Sequence, residues 1–161
     1  MDEIDRRILA ALVTDAGQSY AKLSEQVGLS PPAVHDRVKK LRASGAIKGV
    51  EARIDPAQVG KALLAFVHVD TIGWGKTPVM LALGDLPEVE EIHSVTGDTC
   101  MLLKVRVTDS PALEGLLARI YDIKGVQATR SYVALSTYLE RPPQAGVTAD
   151  LHVVQHPEEL A

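Results

Sequence analysis

From Gly28 to Gly49 the chain reads GLSPPAVHDRVKKLRASGAIKG, and no other stretch restricts the fold as tightly. Gly28 is a helix stop, and Ser30 offers an N-cap oxygen. Pro31 then falls at a first helical position, where the N–H it lacks would have no partner. Val34, Val38 and Leu41 recur at helical spacing, which predicts an inward apolar stripe ending at Ser44-Gly45. That stripe turns Pro32, His35, Asp36, Lys39, Lys40 and Ala43 outward, with Arg37 nearer the seam and Arg42 flanking the outer face. The same stretch holds five Lys/Arg against one Asp.

Two shorter patterns precede it. Ile4, Ile8, Ala11 and Leu12 predict an amphipathic helix over Asp2–Asp15. Ala21, Leu23 and Val27 predict a second helix over Tyr20–Val27, with Leu29 dropping into the core after the glycine. Three helices with a tight Gly-Leu-Ser turn before the third make a helix-turn-helix unit. Charge supports a nucleic-acid role. The chain of 161 residues carries a net charge of −4, yet residues 1–50 hold eight Lys/Arg against six Asp/Glu, while residues 51–161 hold nine against fifteen. A Lys/Arg-rich helix standing alone is usually a solvated face; the two helices before it and the charge contrast favour DNA.

On that reading the third helix is a recognition helix with short or polar residues, Ser30 and Pro32 among them, toward its N-terminal end. His35 and Lys39 can donate to guanine, and Asp36 can accept from cytosine. Arg37, Lys39, Lys40 and Arg42 are placed for phosphates, which makes binding salt-dependent. Tyr20 and Lys22, at the start of the second helix, are placed to touch the backbone.

Beyond Gly49, residues 51–61 read as a linker. Ile47–Val50 and Ala52–Ile54 could form short strands, and Asp55-Pro56 starts a helical turn. From Ala62 the order is strand (Ala62–Asp70), helix (Thr77 to about Leu86), strand (Val89–Thr96), turn and strand (Cys100–Val107). A helix opened by Ser110-Pro111 and a long strand (Val126–Leu139) follow. This βαββαβ order predicts a four-stranded antiparallel sheet with both helices on one side, a ferredoxin-like domain, and so an α+β chain. The first strand is apolar on both faces, with Leu64 and Phe66 opposite Leu63, Ala65, Val67 and Val69, so the uncovered face calls for a second copy. The expected organisation is a DNA-binding domain at 1–50, a linker at 51–61, a ferredoxin-like domain at 62–141 and a tail at 142–161.

The runs DEIDRRILAAL, YAKLSEQVGLSPPAVHDRVKKLRASGAIKG, ARIDPAQVG and VTGDTCMLLKVRV together resemble the Lrp/AsnC family, the feast-or-famine transcription regulators, over about residues 1–140. The resemblance implies a winged-helix-like DNA-binding domain joined to an amino-acid-responsive regulatory domain, with dimers through the sheets and octamers or similar assemblies built from them. It implies, too, that the turn between the second and third strands lines the effector pocket. Here Thr96, Gly97, Asp98, Thr99 and Cys100 are the candidates, with Thr129 as a further wall residue. A glycine lets backbone approach a ligand, exposed N–H groups can hold a carboxylate, and an acid can hold an ammonium. The family pattern is Gly-x-x-Asp with an aromatic beside the aspartate, and this chain has Cys100 there, flanked by Thr99 and Met101. Three readings stay open: Asp98 substitutes, the ligand is not an ordinary amino acid, or the site is degenerate. A plain hairpin accounts for Gly97-Asp98 equally well.

Other chemistry finds little support. Cys100 is the only cysteine, which leaves no internal disulfide or thiolate zinc site, and its use as a redox sensor would need an exposed thiol of lowered pKa. No run of about 18 apolar residues occurs, and Met1-Asp2-Glu3 is not a signal-peptide start, so a cytoplasmic protein without membrane contact is expected. GWGKT at 73–77 ends like a phosphate loop, but Asp70 stands where the first glycine is required. Trp74 reads as an oligomer anchor or a lid over the ligand, His152 and His156 lack a third metal ligand, and His68 and His93 read as strand residues. No Ser/His/Asp set can be assembled, and neither a cofactor nor a metal is expected. The expected function is therefore a non-enzymatic, sequence-specific regulator that binds a roughly palindromic DNA site and responds to a small effector, an amino acid or related metabolite. Two alternatives are an effector-blind architectural DNA-binding protein and a small-molecule or enzymatic α+β domain whose helices serve assembly.

Overall fold

The computed structural model describes residues 1–72 and 78–146. They form two compact units: Met1–Ala52 with the described residues from Glu140 onward, and Arg53–Leu139.

The first unit consists of α1 (Glu3–Thr14), α2 (Tyr20–Val27) and α3 (Pro31–Ala43). Asp2 caps α1 through a reciprocal capping box: its carboxylate accepts from Asp5 N–H at 2.8 Å, and Asp5 accepts from Asp2 N–H at 3.1 Å. Gln18 closes the other end of α1, donating at 2.9 Å to the carbonyls of Ala11 and Asp15. Ser19 caps α2, and Gly28, at φ 72°, ends it in the left-handed conformation that glycine adopts without steric cost. Ser30 then caps α3, its hydroxyl accepting from Ala33 N–H at 3.4 Å. Ile8, Leu23, Val27, Val34, Val38 and Leu41 form the core, with Leu29 and Ile47 packed against it. One expected inward residue is out of place. Ala21 is exposed, and Ser24 is buried instead, because its hydroxyl donates to the Ala21 carbonyl at 2.6 Å and needs no water.

Residues 47–55, where the first unit gives way to the second, carry no strand, so the two short strands expected there do not form. Asp55-Pro56 does open a turn: Asp55 Oδ1 accepts from Ala57 N–H at 2.9 Å, and Lys61 N–H closes back to Pro56 at 2.7 Å. Then come β1 (Leu63–Thr71), α4 (Pro78–Gly84), β2 (Val89–Ser94), β3 (Met101–Val107), α5 (Ser110–Tyr121) and β4 (Val126–Val133). The sheet is antiparallel in the order β2-β3-β1-β4. Ala65, Val67, Val69, Met101, Leu103, Val105 and Val107 point to one face, where Val79 and Leu83 of α4 and Leu113, Leu116 and Ile120 of α5 cover them. Both helices thus lie on one side, as the ferredoxin-like reading requires.

Several boundaries differ, most by a residue or two, and three of them are worth tracing. The cap of α5 is Asp109, accepting from Ala112 N–H at 2.9 Å, which displaces Ser110 into the first turn. β4 stops at Val133 rather than Leu139, because Ala134 N–H makes the last bond to β1, at Leu64. β2 stops at Ser94 rather than Thr96, where the chain turns toward β3.

The opposite sheet face carries Phe66, 38% exposed, and Tyr132, whose ring tilts against His68 at 5.1 Å. Ion pairs lace that face: Lys104 lies 3.5 Å from Glu90 and 3.3 Å from Glu91, and Arg106 lies 3.0 Å from Glu90. It is less uniformly apolar than the first strand alone suggests.

Candidate nucleic-acid interface and ligand turn

The cap, the proline and the apolar stripe fix the rotation of α3 about its axis. Val34, Val38 and Leu41 are buried, so Pro32, His35, Asp36, Lys39, Lys40, Arg42 and Ala43 are all exposed on the reverse side. Lys40 and Arg42 fall in the last turn, where they complement the negative end of the helix dipole. Among the described residues, Lys39, Lys40 and Arg42 make no ion pair within 4.0 Å, so their charges are available to an external anion. Tyr20, at the first position of α2, stacks edge-on against His35, with ring centroids 5.3 Å apart and planes at 82°. The His35 Nδ1 lies 3.7 Å from Asp36 Oδ1, which leaves the far side of the ring facing outward. Lys22 reaches Asp15 at a loose 3.7 Å, both side chains being more than half exposed.

Two of the residues expected at the DNA are otherwise committed. Arg37 is held by α1, its guanidinium 2.7 Å from both Asp2 Oδ2 and Asp5 Oδ1. The hydrogen bond from Asp5 N–H and the one from Arg37 hold the Asp2 carboxyl below its ordinary range, and the two carboxylates raise Arg37 above its own. Arg37 therefore ties α3 to α1 instead of standing free for phosphate. Its place at the seam follows from the spacing of α3, but the acids facing it belong to another helix and carry no local signal. Ser30, too, gives its hydroxyl oxygen to the cap.

At the other candidate site, Val95 N–H and the Cys100 carbonyl close the β2–β3 turn at 3.2 Å. Gly97 sits at φ 130°, and a Cβ there would meet nothing within 4 Å, so the backbone is open to approach. Thr96, Gly97 and Asp98 are exposed. Thr99 is not. Its hydroxyl lies 3.3 Å from the carbonyls of Val69 and Met101, inside the domain, so that hydroxyl is committed to the chain's own backbone. Cys100 is half-buried with its sulfur 3.9 Å from the Thr71 carbonyl. Thr129 is half-buried on β4 and donates its N–H to the Tyr121 hydroxyl at 3.1 Å; hydrogen bonding from the Thr129 side chain, and then from this N–H, lowers the Tyr121 pKa. Asp98 is paired: Arg130 reaches its Oδ2 at 3.1 Å and its carbonyl at 3.0 Å. Sequence spacing gives no hint of Arg130, because the pairing spans 32 residues.

His68 and His93 lie in β1 and β2, with His93 Nε2 2.9 Å from Glu91 Oε2. Trp74, the GWGKT run, His152 and His156 lie outside the described residues. Among those described, no cluster of three or more His, Cys, Asp or Glu side chains could hold a metal ion, and no helix is long and apolar enough to cross a membrane.

The family model of the AsnC-type helix-turn-helix domain matches residues 1–42, and that of the Lrp/AsnC ligand binding domain matches residues 64–144. The chain is 36% identical over 140 residues to the HTH-type transcriptional regulator FL11 of Pyrococcus horikoshii, covering 87% of this chain and 93% of that one. Its fold is similar to the structure of Escherichia coli AsnC, with a TM-score of 0.82, 31% identity, and coverage of 89% and 98%. It is also similar to the feast or famine regulatory protein from M. tuberculosis complexed with L-methionine, with a TM-score of 0.81, 36% identity, and coverage of 86% and 95%.

Proposed function

The chain belongs to the Lrp/AsnC family of transcriptional regulators, and on that premise we propose that α3 reads the major groove of double-stranded DNA while the β2–β3 turn receives a small effector. The observation that carries the first half is the rotation of α3: three buried aliphatic residues turn His35, Asp36, Lys39, Lys40 and Arg42 outward as one exposed surface. In this reading His35 and Lys39 donate to guanine and Asp36 accepts from cytosine. Lys39, Lys40 and Arg42, with Lys22 and the Tyr20 hydroxyl, hold phosphates. Pro32 and the N-terminal end of α3 approach the groove, while Arg37 and Ser30 position the helix from behind.

The effector is an amino acid or a related metabolite. The M. tuberculosis relative solved with L-methionine supports that class, as does the open backbone at Gly97 beside the exposed Asp98. The working form is a homodimer, assembling further to an octamer or similar, acting in the cytoplasm without catalytic activity. Exposed apolar residues after β4 support association: Leu135 is 97% and Tyr138 98% exposed in the single chain, and Leu139 is exposed with them. A two-fold dimer presents two α3 helices, so the operator is roughly palindromic, with half-sites about 10 bp apart or a multiple of that. Effectors then act by shifting the population among assemblies that differ in DNA affinity.

In vitro selection from a random duplex library tests this reading. The expected product is an enriched, roughly palindromic site whose affinity changes when an amino acid is added. An enriched site indifferent to every amino acid would favour an effector-blind architectural role, and no enrichment at all would contradict sequence-specific binding.

A further inference from the structure

His35 stands on the outward face of α3 with two neighbours of different kinds bordering its ring. Tyr20, the first residue of α2, meets it edge-on, with centroids 5.3 Å apart and planes at 82°. Tyr20 is itself packed against the core of the first unit, so its ring is a firm wall that limits how the imidazole turns. On α3, Asp36 Oδ1 lies 3.7 Å from His35 Nδ1, which marks out one of the two ring nitrogens. The His35 side chain is still 58% exposed, and Nε2 is the nitrogen left for an incoming base.

A neutral imidazole has one N–H and one acceptor nitrogen, whereas an imidazolium has two N–H groups and no acceptor. At 3.7 Å the Asp36 carboxylate is beyond hydrogen-bond range, yet its charge favours a proton on the nearer nitrogen, Nδ1. Nε2 of the neutral ring is then an acceptor. Protonation turns it into a donor without moving it. In the major groove the two states read different bases: an acceptor takes the exocyclic amine of cytosine or adenine, and a donor takes guanine O6 or N7. The other charged groups of α2 and α3 do not reverse this assignment. Lys39, one turn later on the same face, opposes charge on the ring together with Lys40 and Arg42, while Asp36 favours it. Lys22 is drawn to Asp15 at 3.7 Å, Arg37 is held by Asp2 and Asp5, and Glu25 stands more than one turn along α2 from Tyr20.

We infer that His35 is a charge-dependent base reader, selecting guanine when protonated and cytosine or adenine when neutral, with Tyr20 as the residue that positions its ring. This rests on the major-groove reading of α3 above and deepens it, since the guanine contact belongs to the protonated form. Histidine side chains as a class change charge between about pH 5 and 8, so a binding experiment reaches both states.

In vitro selection of duplexes by the full chain at about pH 5.5 and at about pH 8, followed by anisotropy titration of the enriched sites, tests this directly. One position in each half-site is expected to change from guanine to cytosine or adenine as pH rises, with a preference of about fivefold in each direction. His35→Gln, whose amide does not titrate, should abolish the change. Tyr20→Phe keeps the ring and should keep the change while weakening all sequences alike, through the lost hydroxyl. Tyr20→Leu should blur the preference at that one position, and Asp36→Ala, which frees the neutral ring to carry its proton on Nε2, should let guanine persist at the higher pH. Thermal unfolding checks that each variant is folded. The same bases at both pH values, a change that survives His35→Gln, or a pH effect equal for every sequence would overturn the inference while leaving DNA binding in place. A sharp preference retained in Tyr20→Leu would overturn the positioning role. Failure to enrich any site would overturn the inference together with the major-groove reading.

Discussion

Asp2 is the second residue of the chain, yet two hydrogen bonds engage its carboxylate. One bond is to the backbone of Asp5, and Arg37 of α3 supplies the other. Its pKa is lowered in the folded state, so the stabilisation is fully present above the unfolded aspartate value and is lost as pH falls through the folded one. The paired Arg37 is raised, which moves its titration further above any working pH. At neutral pH, Arg37→Gln should therefore unfold at a lower temperature than the parent, and the difference should shrink on acidification below about pH 4. Far-UV circular dichroism against temperature and pH measures this; a difference that persists unchanged into acid would remove the ion pair from the account. Legibility at this scale follows sequence distance. Ser30, Pro31 and Gly28 are readable because caps and left-handed glycines are local devices. The partners of Arg37 and Asp98 are not, since each lies more than 30 residues away in the chain.

At the scale of elements, periodicity carries most of the fold. Val34, Val38 and Leu41 fix α3, and alternation from Met101 to Val107 fixes β3, because each pattern records which side faces the core. Where the pattern gives way, the cause is a polar device. Ser24 hides its hydroxyl on a helix carbonyl and takes an inward place expected of Ala21. Asp109, a stronger acceptor one residue ahead of Ser110, takes the cap of α5. The strand after Gly125 reads too long because Leu135, Tyr138 and Leu139 continue an apolar run that pairs with no strand among the described residues. Gly125 itself sits at φ 107°, and a Cβ there would come within 3.0 Å of Val79 Cγ2. Gly125→Ala should cost on the order of 1–3 kcal/mol in chemical denaturation of the second unit, since it adds an unfavourable backbone conformation and presses on α4. An unchanged denaturation midpoint would mean the α5–β4 turn relaxes freely.

For the whole molecule, two units with separate cores carry separate tasks, and both match models of one regulator family. The exposed Leu135 and Tyr138 belong to the assembly on this account. Replacing both with Asp should shift the chain toward monomer in light scattering and weaken binding to a two-half-site duplex more than to a single half-site. An unaltered mass would place the dimer interface elsewhere. The central claim is that the outward face of α3 binds phosphates and bases, and the salt dependence of DNA affinity tests it most directly. Fluorescence anisotropy of the selected duplex with the parent and with Lys39→Ala/Lys40→Ala gives the slope of log affinity against log salt. If both lysines hold phosphates, the slope flattens by about 0.9 for each phosphate that a chain no longer neutralises, and affinity falls at every sequence tested. An unchanged slope and affinity in the double variant would contradict the account.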